Sequence, residues 1–168
     1  MPTDDKSEVL EGLRKKIEGL PKTERTKILG GIFTRIISTL TQRLIKYEGY
    51  AVTDTILKRE LAEIGKHDAH LISDILGIKT KTPEDSSKVL KVAALILGFD
   101  LDVEGNETIV RECPFAVLAK ENNEPRLCSL CQDYCQGVID GVLGRGQVLD
   151  GVHDFKSTPA KCFYKLKK

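Results

Sequence analysis

The chain is expected to fold as one α+β domain, a helical half (residues 1–98) packed on a small antiparallel sheet (99–168), in the order ααααββαββ. Two features predict this. Apolar residues recur at helical spacing from Leu10 to Leu97, and from Asp100 the period falls to two, interrupted once by a helix-length segment.

Asp5, with Glu8 three residues on, resembles a capping box, and Leu10, Leu13, Ile17 and Leu20 follow until Pro21 stops this first, peripheral helix. Leu29, Phe33, Ile36, Ile37, Leu40 and Leu44 form one stripe of a long amphipathic helix over Thr23 to Tyr47, which Gly49 ends. A third helix begins near Thr53, with Ile56, Leu57, Leu61 and Ile64 on one side, and breaks at Gly65 before a short piece around Leu71 to Leu76. Thr82 caps a fourth helix, with Pro83 at its first position, Glu84 and Asp85 at its positive end and Val89, Val92, Ala93, Ile96 and Leu97 as its apolar face.

Leu101 and Val103, the turn Glu104-Gly105-Asn106-Glu107 and then Thr108-Ile109-Val110 spell a β-hairpin that ends at Cys113-Pro114. A polar loop, Lys120 to Glu124, leads into a fifth helix from about Pro125 to Leu143. After the turn Gly144-Arg145-Gly146, two further strands, Val148 to Phe155 and Ala160 to Leu166, are joined by Ser157-Thr158-Pro159.

With 168 residues, 40% of them hydrophobic, the chain can build one core without disulfides. Lys and Arg number 26 against 25 Asp and Glu, which leaves no basic field for a nucleic acid backbone; the basic end Lys165 to Lys168 reads as a solvated tail. The absence of Trp and the presence of only four Tyr and five Phe argue against a base-stacking platform. No stretch is long and apolar enough for a membrane span, and Met1 to Glu11 is polar and acidic, unlike a signal peptide, so a cytoplasmic location is expected. In that compartment five cysteines are thiols or metal ligands.

Cys128, Cys131 and Cys135 share one face of the fifth helix, while Cys113 sits at a strand end and Cys162 in the last strand. Soft sulfur ligands suit zinc or an iron–sulfur cluster. In one regular helix Cys128 and Cys135 are about 10 Å apart along the axis, whereas sulfurs on one zinc lie within roughly 4 Å of one another. Two sets survive: Cys131 and Cys135 with Cys162 and a fourth group, or Cys128 and Cys131 at a frayed helix start with Cys113 and Cys162. The competing readings are buried small hydrophobes and redox thiols activated by the helix N-terminus.

Gly137 and Gly141, four apart, leave one face of the same helix nearly bare, for tight packing on the sheet or for a ligand. His153 and Asp154 are candidates to complete a coordination shell; His67 and His70 fit no ligand motif, and Glu60, Glu63 and Asp74 read as solvated helix surface. Phosphate loops, paired catalytic carboxylates and a G-x-S-x-G elbow are absent, so an enzyme is the weaker expectation.

The run Cys131-Gln132-Asp133-Tyr134-Cys135-Gln136-Gly137-Val138-Ile139-Asp140-Gly141 and the closing Ala160-Lys161-Cys162-Phe163 resemble the 4-vinyl reductase type of small-molecule-binding domain. Glu112-Cys113-Pro114-Phe115 followed by Leu127-Cys128 looks like the methanogen output domain and the aminothiazoline carboxylate hydrolase-like family, sensory or poorly characterised proteins of archaea and bacteria. The resemblance covers Leu101 to the C-terminus. It implies a domain that binds a small apolar or aromatic molecule between helices and sheet, beside a zinc held by cysteines, and reports to a partner. The chain departs from metal-binding members in offering His153 and Asp154 where they carry an acidic residue and a cysteine, and in adding Cys113, Cys128 and Cys135.

The expectation is therefore a non-catalytic ligand- or redox-sensing domain with a cysteine-bound metal, dimeric through the long second helix and acting through a partner protein. A hydrolase-like enzyme with a cysteine or metal site, and a scaffolding module like the vesicle-tethering subunits that share the fold family, are the alternatives.

Overall fold

The computed structural model describes residues 12, 15, 18–98, 100–104, 107–121, 123–154 and 161–167. Most of the predicted first helix, including Asp5, Glu8, Leu10, Leu13 and Ile17, lies outside them, as do the turn residues Gly105 and Asn106, the Ser157-Thr158-Pro159 connection, Phe155 and Lys168.

Pro21 precedes α1 (Lys22–Glu48), and Gly49, at φ 81°, joins it directly to α2 (Tyr50–Leu76). That positive φ is strained for any residue with a β-carbon, so glycine suits this one-residue joint. Gly65, expected as a break, lies inside α2, which runs unbroken for 27 residues. α3 (Pro83–Leu97) starts on a closed capping box: the Thr82 hydroxyl accepts from the Asp85 N–H and the Asp85 carboxylate accepts from the Thr82 N–H, both at 3.2 Å.

The hairpin strands are β1 (Asp100–Glu104) and β2 (Glu107–Glu112), followed by α4 (Pro114–Glu121), an additional helix where the expected order had none. Pro114 opens α4 at a position that tolerates its missing N–H, and the Cys113 carbonyl accepts from the Ala116 and Val117 amides. α5 (Leu127–Leu143), β3 (Val148–Asp154) and β4 (Lys161–Lys167) complete the chain.

The four strands are antiparallel in the order β1-β2-β4-β3, with Val110 opposite Cys162, Gly151 opposite Tyr164 and His153 opposite Cys162. α5 is the central element. Leu127, Val138, Ile139 and Val142 are all buried, because the sheet covers one side of the helix and α2 the other. One buried cluster runs through both halves, from Leu61 and Val89 to Val110 and Leu149. Among the described residues no helix is long and apolar enough to cross a membrane.

Candidate functional site

All five cysteines are free and buried, between 1% and 4% exposed. Three stretches of chain supply them. Cys113 sits in the short joint between β2 and α4; Cys128, Cys131 and Cys135 line the sheet-facing side of α5; Cys162 points inward from β4.

The joint at the head of α5 is tightly wound. The amides of Leu127, Cys128 and Ser129 donate to the carbonyls of Glu124, Pro125 and Arg126, each three residues back, a 3₁₀ pattern that sets Cys128 apart from the regular helix. β4 alternates: Cys162 and Tyr164 are buried at 1% and 2%, while Phe163 between them is 44% exposed.

The thiols are linked. Cys113 donates to the sulfur of Cys131, which donates in turn to Cys135, and Tyr164 lies close enough to these sulfurs to feel their charge. Cys128 stands near enough to Cys162 and Cys113 for charge on one to act on another. Tyr164 reports the convergence best: after burial, the groups that raise its phenol well above the ordinary value are Cys131, Cys135, Cys162 and Cys113. Sequence reading passed over this residue. It follows Cys162 by two in a strand, so it had to share the sulfur face, and Gly151 opposite makes room for its ring, since a β-carbon there would lie 2.7 Å from it.

Hydrogen bonding and burial favour the neutral form of Cys113, Cys128 and Cys131. The bond to Cys131 and then burial push Cys113 well up; Cys131 accepts from Cys113, which favours its thiolate, but its own bond to Cys135 and its burial outweigh this; burial pushes Cys128 up to about 12. A nucleophile needs the opposite, a lowered pKa and access to substrate.

As donors the five sulfurs suit a soft metal, yet among the described residues no three cysteine, histidine or carboxylate groups close on a common point at metal-bonding reach. The side chains of His153 and Asp154 lie outside the described residues.

The bare glycine face of α5 packs on α2 and not on the sheet. A β-carbon at Gly137 would meet the Ala62 carbonyl oxygen at 2.0 Å, and one at Gly141 the Ala69 side chain at 2.6 Å. From α2, Gly65 fits equally closely against the Tyr134 carbonyl, and the Tyr134 hydroxyl donates to Asp68 at 2.9 Å. This face is filled by protein. On a third side of α5, Gln132 donates to the Leu149 carbonyl, and Gln136 donates to the Gln147 carbonyl and accepts from the Leu149 amide. These amides satisfy the open edge of β3 and fix the sheet against the thiol-bearing helix. Comparison with known protein families, characterised proteins and solved structures finds no match for this chain.

Proposed function

We propose that this protein is a non-catalytic sensing domain in which the buried thiol cluster takes a soft metal, zinc or alternatively an iron–sulfur cluster, and signals its occupancy to a protein partner. The observation that supports this is the meeting of four thiols, Cys113, Cys131, Cys135 and Cys162, from three distant stretches of chain around Tyr164, with Cys128 beside Cys162 and Cys113. Cys113, Cys128, Cys131 and Cys162 are the favoured ligands: Cys113 bonds Cys131 and neighbours Cys128, and Cys128 neighbours Cys162. Cys135 then serves as an outer partner of Cys131. Binding would replace protons on neutral thiols with the metal, so uptake releases protons and draws the sulfurs inward.

A cysteine nucleophile is disfavoured by the burial of all five sulfurs and by the raised pKa values of Cys113, Cys128 and Cys131. A small apolar ligand would have to enter elsewhere than between α2 and α5, where the glycines are already in contact.

Elemental analysis of protein purified without added metal, paired with thiol titration before and after denaturation, tests the reading. Stoichiometric zinc or iron, with thiols that titrate only on unfolding, is expected. Metal-free protein that takes up neither zinc nor iron on reconstitution would overturn it; a fast-reacting thiol in that protein would favour the enzyme, and uniformly slow thiols a scaffolding module.

A further inference from the structure

α1 wears most of its large apolar residues on the outside, Ile37 being turned to the core. Its inward face carries Gly30, Ser38 and Thr41, with both hydroxyl residues 4% exposed and the Thr41 hydroxyl donating to the Ile37 carbonyl at 2.8 Å. The approach is too close for anything larger at Gly30, where a β-carbon would lie 2.5 Å from the Leu97 carbonyl oxygen. The helix therefore cannot roll its large side chains inward without parting from α3.

Outward stand Leu29, Phe33, Ile36, Leu40, Leu44 and Tyr47, each between 37% and 70% exposed. They follow the period of about 3.6 residues that holds one stripe along a straight helix, over about 27 Å. With Ile28 and Ile32 beside them, they leave on the order of 800 Å² of largely apolar surface in water, as much as one partner contributes to a stable interface and more than the roughly 300–600 Å² of an ordinary monomer's largest patch.

The order of side chains says what fits there. Turned end for end about a point between Ile36 and Leu40, the stripe falls back on itself: Ile36 meets Leu40, Phe33 meets Leu44 and Leu29 meets Tyr47. A two-fold axis demands this property of an interface, since each residue must find its counterpart in the same surface of the other copy. The reversal also sets Arg43 beside Phe33 of the other copy, a cation over a ring, with no like charge opposite.

We propose that a second copy of this chain covers the face, the two α1 helices packing antiparallel about a two-fold axis between Ile36 and Leu40. This proposal is independent of the thiol reading, because none of the cysteines lies on α1.

The test uses two full-length charge variants, Ile36→Lys and Leu40→Glu. Both positions are half exposed in one protomer, at 51% and 55%, so the charges leave the protomer's helical content intact. By sedimentation the wild type should be a dimer at micromolar concentration and each variant alone a monomer. Mixed in equal amounts, the variants should form a heterodimer, because only the antiparallel pairing sets the introduced lysine of one copy against the introduced glutamate of the other and restores Leu40 against Ile36. A wild type that stays monomeric at high concentration, or single variants that stay dimeric, would overturn the proposed interface. A mixture that remains monomeric would overturn the antiparallel register.

Discussion

Gly137 lies flat against Ala62: a β-carbon built on it would stand 2.0 Å from the Ala62 carbonyl oxygen. Gly65 repeats the arrangement from the other helix, with the Tyr134 carbonyl oxygen 2.2 Å from the place of its β-carbon. Backbone atoms of α2 and α5 thus touch at two points, and neither can yield as a flexible side chain can.

Gly137→Ala should accordingly cost about 2–4 kcal/mol of stability, since a rigid clash at a helix crossing outweighs the better helix propensity of alanine. Chemical denaturation checks it. Gly12→Ala, in open space, serves as the control and should be nearly neutral.

The same contacts explain what could be read in advance. Periodicity found α1, α3, α5 and the strands because each buries or exposes side chains at its own characteristic spacing, and Thr82 with Pro83 marked the start of α3 through local chemistry alone. It failed at Gly65, where a glycine that admits another backbone looks in sequence like one that ends a helix. It also passed over α4, whose eight residues are too few to establish a period beside Cys113-Pro114. The convergence of the thiols was legible in the shared face of Cys128, Cys131 and Cys135. The part played by Tyr164 and the glutamine clamp on β3 was not, because both depend on which strand ends up beside α5.

Gln136 holds the start of β3 with two hydrogen bonds, at 2.8 Å to the carbonyl of Gln147 just before the strand and 2.7 Å from the Leu149 amide within it. Gln136→Ala should therefore cost about 2 kcal/mol, near 1 kcal/mol for each bond. Hydrogen exchange gives the specific readout: the Leu149 amide should lose protection while the amides in the middle of α2 keep theirs.

Cys162 and Cys135 should differ under replacement. Cys162→Ser removes a favoured ligand from β4, so metal content and thermal stability should fall together, whereas Cys135→Ser, touching only the outer partner of Cys131, should retain most of the metal. A chelator should lower the melting temperature of the wild type and leave that of Cys162→Ser unchanged. Equal metal loss in both variants would place Cys135 among the ligands.

Asp133 is the acid on α5 that should make stability depend on pH. Burial pushes its carboxyl up to about 6, the Lys58 ammonium across on α2 opposes the shift, and the Asp54 carboxylate adds to it; one carboxylate oxygen is buried without a hydrogen-bond partner. The folded state thus holds the proton more tightly than the unfolded chain, whose aspartate titrates near 3.9. The contribution is fully present below about pH 4 and is lost as pH rises through about 6, leaving a charge with no adequate partner. A shift of two units corresponds to almost 3 kcal/mol, but the group is only half buried, and solvent screening reduces this to about 1 kcal/mol. Asp133→Asn, which keeps the shape and never ionises, should be more stable than the wild type by that amount at pH 7.5 and equal to it at pH 4. Denaturant midpoints at the two pH values check the sign: a wild type that gains on the variant as pH rises would mean that Lys58 pairs with Asp133 strongly enough to outweigh its burial.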